Sequence, residues 1–175
     1  MEEEEAFDMH DELTKVDIKK MQEEINYRKF ELMPKLKEDL RHARELGDLS
    51  ENFEYRAAKR ELGRNNSRIH YLETMIATAK VIDVKSADGV VGLFDKIKLY
   101  DEDGEEEMDI VLVTTLRQNS LEGYISKESP LGKAIMGKKV GDRVLIPVND
   151  KYSYYVKILS VEKGKDDESL KISDY

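Results

Sequence analysis

Two carboxylates three residues apart have the clearest potential for chemistry in this sequence. Asp48 and Glu51 follow Gly47, at the point where one helical pattern ends and another begins. Carboxylate oxygens are the hard ligands that Mg2+ prefers, and a magnesium site often uses one or two of them with waters and substrate phosphates. The same spacing fits a capping box, with Asp48 as N-cap, Glu51 at N3 and Ser50 as a rival N-cap. Spacing alone favours capping, although a capped turn would also hold both carboxylates rigidly, as a metal site needs.

Basic residues crowd both sides of this acidic pair, within about four helical turns. They are Arg41, Arg44, Arg56, Lys59, Arg60 and Arg64. Cations on a helix surface commonly pair with acids three or four residues away, so we expect most of these to pair with Glu45, Glu61 and their neighbours. Phe53 has no evident core role one turn from the acids, and stacking on a nucleic-acid base is the alternative to simple exposure.

The elements that must position the turn are two amphipathic helices. In the second, apolar residues alternate at spacings of three and four, with one polar member: Tyr55, Ala58, Leu62, Asn65, Ile69, Leu72, Ile76 and Ala79. In the first, one face carries Ile18, Met21, Ile25, Leu32, Leu36, Leu40 and Ala43, with some drift. These patterns predict an antiparallel coiled-coil hairpin over residues 13–80, stopped at its turn by Gly47. Asn65 would cost stability in such a seam but would fix its register.

Pro34 lies inside the first helical pattern. A proline removes one backbone hydrogen bond and kinks a helix, so we expect one helix that bends there. The alternative is two helices, 14–32 and 34–46, with Pro34 at the first position of the second.

After residue 80 the pattern changes to short, β-branched and partly alternating segments separated by turn residues. One short helix interrupts them, with Ser129 as N-cap, Pro130 in its first turn and Gly137 as its stop. We predict an α+β fold in which the hairpin precedes a small antiparallel-sheet domain, residues 81–163. Residues 1–12 form an acidic extension, and the polar tail, residues 164–175, is expected to be loose.

Composition excludes several classes of protein. The 175 residues include no Cys, so disulfides and thiolate metal sites are impossible, and 38% are charged. Net charge is −9, but residues 41–70 reverse the balance, with seven Lys or Arg against five Asp or Glu. No apolar run is long enough to span a membrane, and the acidic start is unlike a signal peptide. We expect a soluble intracellular protein without a membrane partner.

Three segments resemble the Gre family of bacterial transcript-cleavage factors. They are GDLSENFEY at 47–55, AKVIDV at 79–84 and ISKESPLGKAIMGKKVGD at 125–142. The resemblance extends over about residues 13–163, and the first and last motifs are each specific. It implies an antiparallel coiled coil followed by an FKBP-like domain, in agreement with the pattern of helices and strands.

The resemblance also implies a function in the cytoplasm. Family hairpins enter the secondary channel of bacterial RNA polymerase, and their tip acids, here Asp48 and Glu51, hold a Mg2+ jointly with the polymerase. The polymerase then cleaves the 3' end of a backtracked nascent RNA, so the factor is not an enzyme by itself. Arg44 and Lys59 match positions that contact the RNA 3' segment. The resemblance assigns part of the polymerase contact to Ser129, Pro130 and Leu131.

The sequence departs from the family at two places. Phe53 stands where members commonly carry Ala, and TTLRQNSLEG at 114–123 lacks the expected Gly-and-acid pattern. Three other functions stay open: a channel-binding regulator without cleavage activity, a prolyl isomerase suggested by the fold alone, and a coiled-coil adaptor. The intact acidic pair argues against the first, and fold alone is weak evidence for the second.

Overall fold

The computed structural model describes residues 12–47 and 52–173. These residues fall into two compact units, one of residues 18–47 and 52–80 and the other of residues 12–17 and 81–173. Residues 12–17 therefore group with the second unit. The sequence pattern instead predicted that residue 12 ends the acidic extension and that residues 13–17 begin the hairpin. Their backbone explains the difference, since the Leu13 carbonyl accepts a hydrogen bond from the Ile82 amide at 2.9 Å.

The first arm of the hairpin is helical without interruption from residue 15 to residue 45. It consists of α1 (Lys15–Tyr27), a π-helical turn (Arg28–Leu32) and α2 (Met33–Glu45). Because Pro34 has no N–H, an α-helix would leave the Phe30 carbonyl without a partner. This turn of the helix instead contains one extra residue, and the Met33 amide donates to the Arg28 carbonyl five residues earlier. One continuous helix was correctly predicted, but the π turn was not, and the alternative of two separate helices is wrong.

The apolar pattern of the first arm drifts after the π turn. Leu32, Leu36 and Leu40 are all half-buried at a constant spacing of four. An α-helix has 3.6 residues per turn, so this spacing would drift around a regular helix. Leu36 and Leu40 lie in the regular helix α2, so the drift continues beyond the π turn, and all three leucines are half-buried rather than buried.

The second arm is a single helix, α3 (Phe53–Thr78). Every residue of its predicted seam is buried or half-buried, which confirms the predicted packing face. Asn65 is 2% exposed, its Oδ1 accepts from Arg28 Nη1 at 3.2 Å, and its amide lies 3.4 Å from the Arg28 carbonyl. These partners occur at one alignment of the two arms, so they give Asn65 the register-setting contacts that a seam amide needs.

A buried ionic network beside Asn65 was not predicted. Arg68 is 6% exposed and forms a bidentate pair with Glu24, Nε to Oε1 at 2.9 Å and Nη2 to Oε2 at 3.1 Å. Arg28 Nε reaches the same carboxylate at 2.6 Å. Burial by itself would raise the pKa of Glu24, but the hydrogen bonds from Arg68 and Arg28 outweigh it and hold that pKa below its usual value.

We expect this network to make the hairpin sensitive to acid. Because the folded pKa of Glu24 is depressed, its stabilisation is complete above the unfolded value, about 4.3, and is lost as pH falls through the folded pKa. At pH 7, Glu24→Gln should lower the free energy of unfolding by about 1.5–3 kcal/mol. The difference between the variant and the unchanged protein should shrink towards pH 3. Thermal unfolding followed by the helical circular dichroism signal measures both.

Glu38→Gln is the matched control, because Glu38 pairs with Arg41 on the exposed surface of α2. Its effect should be small at every pH. An equal effect of Glu24→Gln at pH 7 and pH 3 would show that the ionised carboxylate contributes nothing.

The second unit is built on a five-stranded sheet with the order β5-β4-β3-β7-β6. Its strands are β3 (Lys96–Asp101), β4 (Glu106–Val113), β5 (Tyr124–Ser126), β6 (Arg143–Asn149) and β7 (Tyr152–Glu162), and its helix is α4 (Pro130–Ile135). Two short strands, β1 (Glu12–Leu13) and β2 (Lys80–Val81), form a separate pair. The core of the sheet includes Ile97, Leu99, Leu112, Ile146 and Ile158, all 0% exposed. The predicted antiparallel sheet is correct except for β5, which runs parallel to β4.

The loop that departs from the family pattern buries an arginine. Arg117 ends a 3-10 turn (Thr115–Arg117), and its side chain is completely buried. Arg117 Nε binds Asp17 Oδ1 at 2.6 Å, and Nη1 binds Asp166 Oδ1 at 2.6 Å and the Asp167 carbonyl at 3.0 Å. One guanidinium thus ties together three segments of the second unit that are far apart in sequence.

The tail is packed rather than loose over residues 164–173. Gly164 N–H donates to Asp95 Oδ1 at 3.1 Å, and Ser173 N–H donates to the Leu116 carbonyl at 2.7 Å. Leu170 packs against the buried cluster of Leu93, Phe94 and Val113. A Cβ at position 164 would lie 1.8 Å from the Phe94 carbonyl oxygen, so this approach requires glycine. The expectation of a loose tail missed Leu170, which anchors a segment made mostly of charged and polar residues.

Candidate functional site

The turn between α2 and α3 is closed by one side chain. Asn52 is the N-cap of α3, and its Oδ1 accepts from the Tyr55 amide at 2.9 Å. The same side chain donates from Nδ2 to the Ala43 carbonyl at 2.6 Å. One amide therefore satisfies an orphan donor at the start of α3 and an orphan acceptor at the end of α2.

This geometry corrects the predicted capping box. The N-cap of α3 is Asn52, so neither Asp48 nor Ser50 caps that helix. Asn52 is favoured physically because it both accepts and donates, whereas an ionised carboxylate only accepts. Asp48 and Glu51 themselves lie outside the described residues. α2 ends at Glu45, and Gly47, whose φ of +134° suits a glycine, is the last described residue before the acidic pair.

The cations around the turn differ in whether they are paired. Arg41 pairs with Glu45 at 3.3 Å and Arg64 with Glu61 at 2.7 Å, as predicted for a solvated surface. Three further exposed cations form no ion pair within the parts of the chain that the structure describes: Arg44, Lys59 and Arg60. The two residues that the resemblance assigned to RNA contact, Arg44 and Lys59, are among these three.

Two arginines near the turn lie over aromatic rings. Arg44 is 5.8 Å from the centroid of Tyr55, which is half-buried in the seam. Arg56 is 5.9 Å from the centroid of Phe53, whose side chain is 80% exposed. Both distances are within the range of a cation–π contact.

The segment assigned to the polymerase contact is the start of α4. Ser129 Oγ accepts from the Gly132 amide at 3.0 Å, which confirms Ser129 as the N-cap. Pro130 is exposed in the first turn and Leu131 is half-buried. A Cβ at Gly132 would lie 2.2 Å from the Ser126 carbonyl oxygen, so α4 packs directly on the chain that follows β5.

The donor set at the turn fits a divalent cation only in part. Two carboxylates, Asp48 and Glu51, supply hard oxygen ligands, fewer than the six that octahedral Mg2+ requires. Elsewhere, residues 12–47 and 52–173 contain no group of three or more His, Cys, Asp or Glu that could hold a metal ion. Within the same residues, no helix is both long and apolar enough to cross a membrane.

Comparison with known proteins defines the class as a transcription elongation factor. The family model described as "Transcription elongation factor, N-terminal" matches residues 12–81, and "Transcription elongation factor, GreA/GreB, C-term" matches residues 85–163. The chain belongs to the GreA/GreB family, which confirms the resemblance seen in its motifs.

Two named relatives are similar in sequence to this chain over most of their length. The chain is 41% identical over 137 residues to transcription elongation factor GreA of Thermoanaerobacter pseudethanolicus, covering 78% of this chain and 87% of that protein. It is 40% identical over 145 residues to GreA of Sinorhizobium medicae, covering 82% and 91%.

Solved structures are similar at lower identity. Gfh1, a GreA factor homolog of Thermus thermophilus, is 24% identical with a TM-score of 0.40, covering 88% of this chain and 99% of that chain. A GreA/GreB factor from Nitrosomonas europaea is 18% identical with a TM-score of 0.38, covering 88% and 98%.

Proposed function

We propose that this elongation factor binds bacterial RNA polymerase in the cytoplasm and inserts its hairpin into the secondary channel. There it stimulates the polymerase to cleave the 3' end of a backtracked transcript, which releases an arrested complex. The observation that carries this proposal is the turn itself. An acidic pair lies on a segment whose ends are tied by Asn52, beside cations that have no ion pair among the described residues.

The hairpin supplies reach and rigidity. The 26 residues of α3 extend over about 39 Å at 1.5 Å per residue. The Asn65 contacts and the Glu24–Arg68 pair lock its two arms in one alignment. A rigid rod of this length suits the delivery of a small group of atoms into a narrow channel, since a rigid support reduces the entropy lost on reaching the site.

Asp48 and Glu51 would hold a Mg2+ shared with the polymerase, since two carboxylates leave the remaining ligand positions to waters, phosphates and partner carboxylates. The ion, when bound, would supply an activated water and stabilise the charge on the attacking and leaving oxygens. The protein is therefore not an enzyme by itself, because it contributes only part of a site that the polymerase completes.

Arg44 and Lys59 would contact phosphates of the RNA 3' segment. Phosphate contacts supply affinity without reading sequence, which suits a factor that must act on any transcript. Both side chains are exposed on the arms of the hairpin, a few residues from the acidic segment.

The second unit would provide the remaining contact, through the start of α4. Pro130 and Leu131 present apolar surface there, and Ser129 fixes the segment by capping the helix. Slower amide hydrogen exchange at Ser129 and Leu131 when polymerase is added would support this contact, and unchanged exchange would exclude it; Pro130 has no amide hydrogen to report.

The proposal is tested by adding the protein to a stalled, backtracked elongation complex that carries an end-labelled transcript. Release of short RNA fragments from the 3' end, dependent on the factor, is the expected result. The principal alternative is a regulator that occupies the channel without promoting cleavage. Binding that competes with a known cleavage factor while releasing no fragments would favour that alternative.

We expect the double variant Arg44→Ala with Lys59→Ala to raise several-fold the factor concentration needed for half-maximal cleavage. Cleavage should recover at saturation, because the acidic pair is unchanged. The slope of log affinity against log salt concentration should fall by about one for each lost phosphate contact. Titrations of cleavage and of binding at two or more salt concentrations measure these changes.

The matched control is Arg41→Ala with Arg64→Ala, which removes two cations already paired with Glu45 and Glu61. It should change affinity less than the first double variant. Equal losses in the two double variants would reduce the role of Arg44 and Lys59 to general surface charge. Cleavage that stayed low at saturation would instead place them in the chemical step.

A further inference from the structure

Phe53 is a large apolar side chain that the fold does not use. It is the first residue of α3, its side chain is 80% exposed, and it is not part of the seam that packs against the first arm. Its backbone is nevertheless ordered, because Asn52 caps the first turn of α3 directly before it. The ring therefore starts from a fixed backbone position, two residues after Glu51 in the sequence.

Two arginines of α3 lie on the side of the helix that carries Phe53. Arg56 lies 5.9 Å from the ring centroid, and Arg60 follows on the same face of α3, at the i+7 position from Phe53. Across residues 41–64 there are six Lys or Arg against five Asp or Glu, and two of those acids are Asp48 and Glu51. Phe and Arg are also enriched at protein–protein interfaces, so the test must separate a base from a protein pocket. An exposed ring flanked by arginines is a combination that binds single-stranded nucleic acid by stacking and cation–π contact.

We propose that Phe53 is a stacking platform for an unpaired base of the backtracked transcript, with Arg56 placed for the adjoining phosphate. The proposal rests on the proposed function, which brings single-stranded RNA to the hairpin tip. The ligand is one nucleotide of any sequence, because every base offers a π-face to the ring. The contact is distinct from those of Arg44 and Lys59, which would bind only the backbone. Because of this contact, the affinity of the protein for the complex would depend on whether a displaced base is present.

The test measures binding of the full-length chain to backtracked complexes, with Asp48→Asn in every protein so that the RNA stays intact. The transcripts carry either a normal base or an abasic sugar at one extruded position in turn. With normal RNA, Phe53→Ala should weaken binding by roughly 5- to 150-fold, as expected for one lost stack. At the contacted position, an abasic sugar should weaken binding of Phe53 protein by a similar factor and should not affect Phe53→Ala.

Two further substitutions identify the interaction. Phe53→Tyr keeps a ring and should retain the base-dependent affinity, whereas Phe53→Leu keeps apolar bulk and should lose it. A loss on Phe53→Ala that is the same with every abasic transcript, or full retention by Phe53→Leu, would overturn stacking in favour of an apolar contact with the polymerase. Unchanged binding of Phe53→Ala to normal RNA would overturn any role in binding.

The readout separates this proposal from the proposed function. If the protein with its native Asp48 binds backtracked complexes but releases no RNA fragments, cleavage stimulation is wrong while base-dependent binding still decides the role of Phe53. If cleavage is stimulated but affinity does not depend on the base, only the role of Phe53 is wrong. A protein that does not bind these complexes at all overturns both.

Discussion

Asp48→Asn is expected to reduce stimulated transcript cleavage by at least about 100-fold while changing polymerase affinity by less than about twofold. The substitution keeps the size of the side chain but removes the negative charge that makes it a good Mg2+ ligand. Loss of even an outer-shell partner of a metal ligand costs about 10- to 100-fold, so loss of a direct ligand should cost at least as much. Glu51→Gln should behave in the same way.

The structure makes this experiment cleaner than the sequence suggested. Because Asn52 rather than Asp48 caps α3, a change at Asp48 does not remove the cap of that helix. Cleavage is measured at saturating factor with a labelled transcript, and affinity is measured separately by competition. Glu45→Gln is the matched control, since Glu45 is a carboxylate in the last turn of α2 that pairs with Arg41. A normal cleavage rate with Asp48→Asn would remove the acidic pair from the chemistry.

Arg117→Ala is expected to cause the second large effect, a loss of stability of the second unit. This change leaves the completely buried carboxylate of Asp17 and the nearby Asp166 without their shared cation. Removing one partner of a buried ion pair costs about 3–5 kcal/mol, because the remaining charge stays away from water. For a unit of about 100 residues, that loss should lower the melting temperature by more than about 10 °C.

Urea unfolding followed by tyrosine fluorescence measures the stability of the second unit. The control is Arg143→Ala, which removes a bidentate arginine–carboxylate pair with Glu102 at 2.7 Å for both contacts. The Arg143 side chain is 54% exposed, so its pair should contribute at most about 1 kcal/mol. Equal effects of the two substitutions would mean that burial adds nothing to the Arg117 cluster.

Apolar spacing was sufficient to predict the hairpin, and turn chemistry was sufficient to predict α4. The seam from Tyr55 to Ala79 and the N-cap Ser129 are where the sequence placed them, because both depend on residues close together in the chain. The cap of α3 was misassigned since Asp48, Ser50 and Asn52 are all acceptable N-caps. Only the three-dimensional turn shows that Asn52 also reaches the Ala43 carbonyl.

Long-range ionic contacts were beyond the reach of sequence patterns. Arg117 and Asp17 are 100 residues apart, and a charged residue in a polar loop is normally assigned to the surface. Glu24 and Arg68 were hidden for the same reason, among the many charges of two amphipathic helices. The parallel strand β5 was missed because a three-residue strand carries almost no pattern of its own.

The π turn at Arg28–Leu32 has a consequence for how this hairpin tolerates changes in length. A single-residue insertion in a regular coiled coil rotates everything beyond it by about 100° and turns the apolar stripe away from its partner. Here the extra residue is absorbed within one widened turn, next to the Asn65 side chain that marks the alignment of the arms. Deleting one residue from this turn would restore regular winding and leave residues 18–27 in phase with α3. The turn thus keeps the apolar stripe on the same side of the helix before and after it. A helix with such a turn can be one residue longer while both of its ends still face the same partner helix.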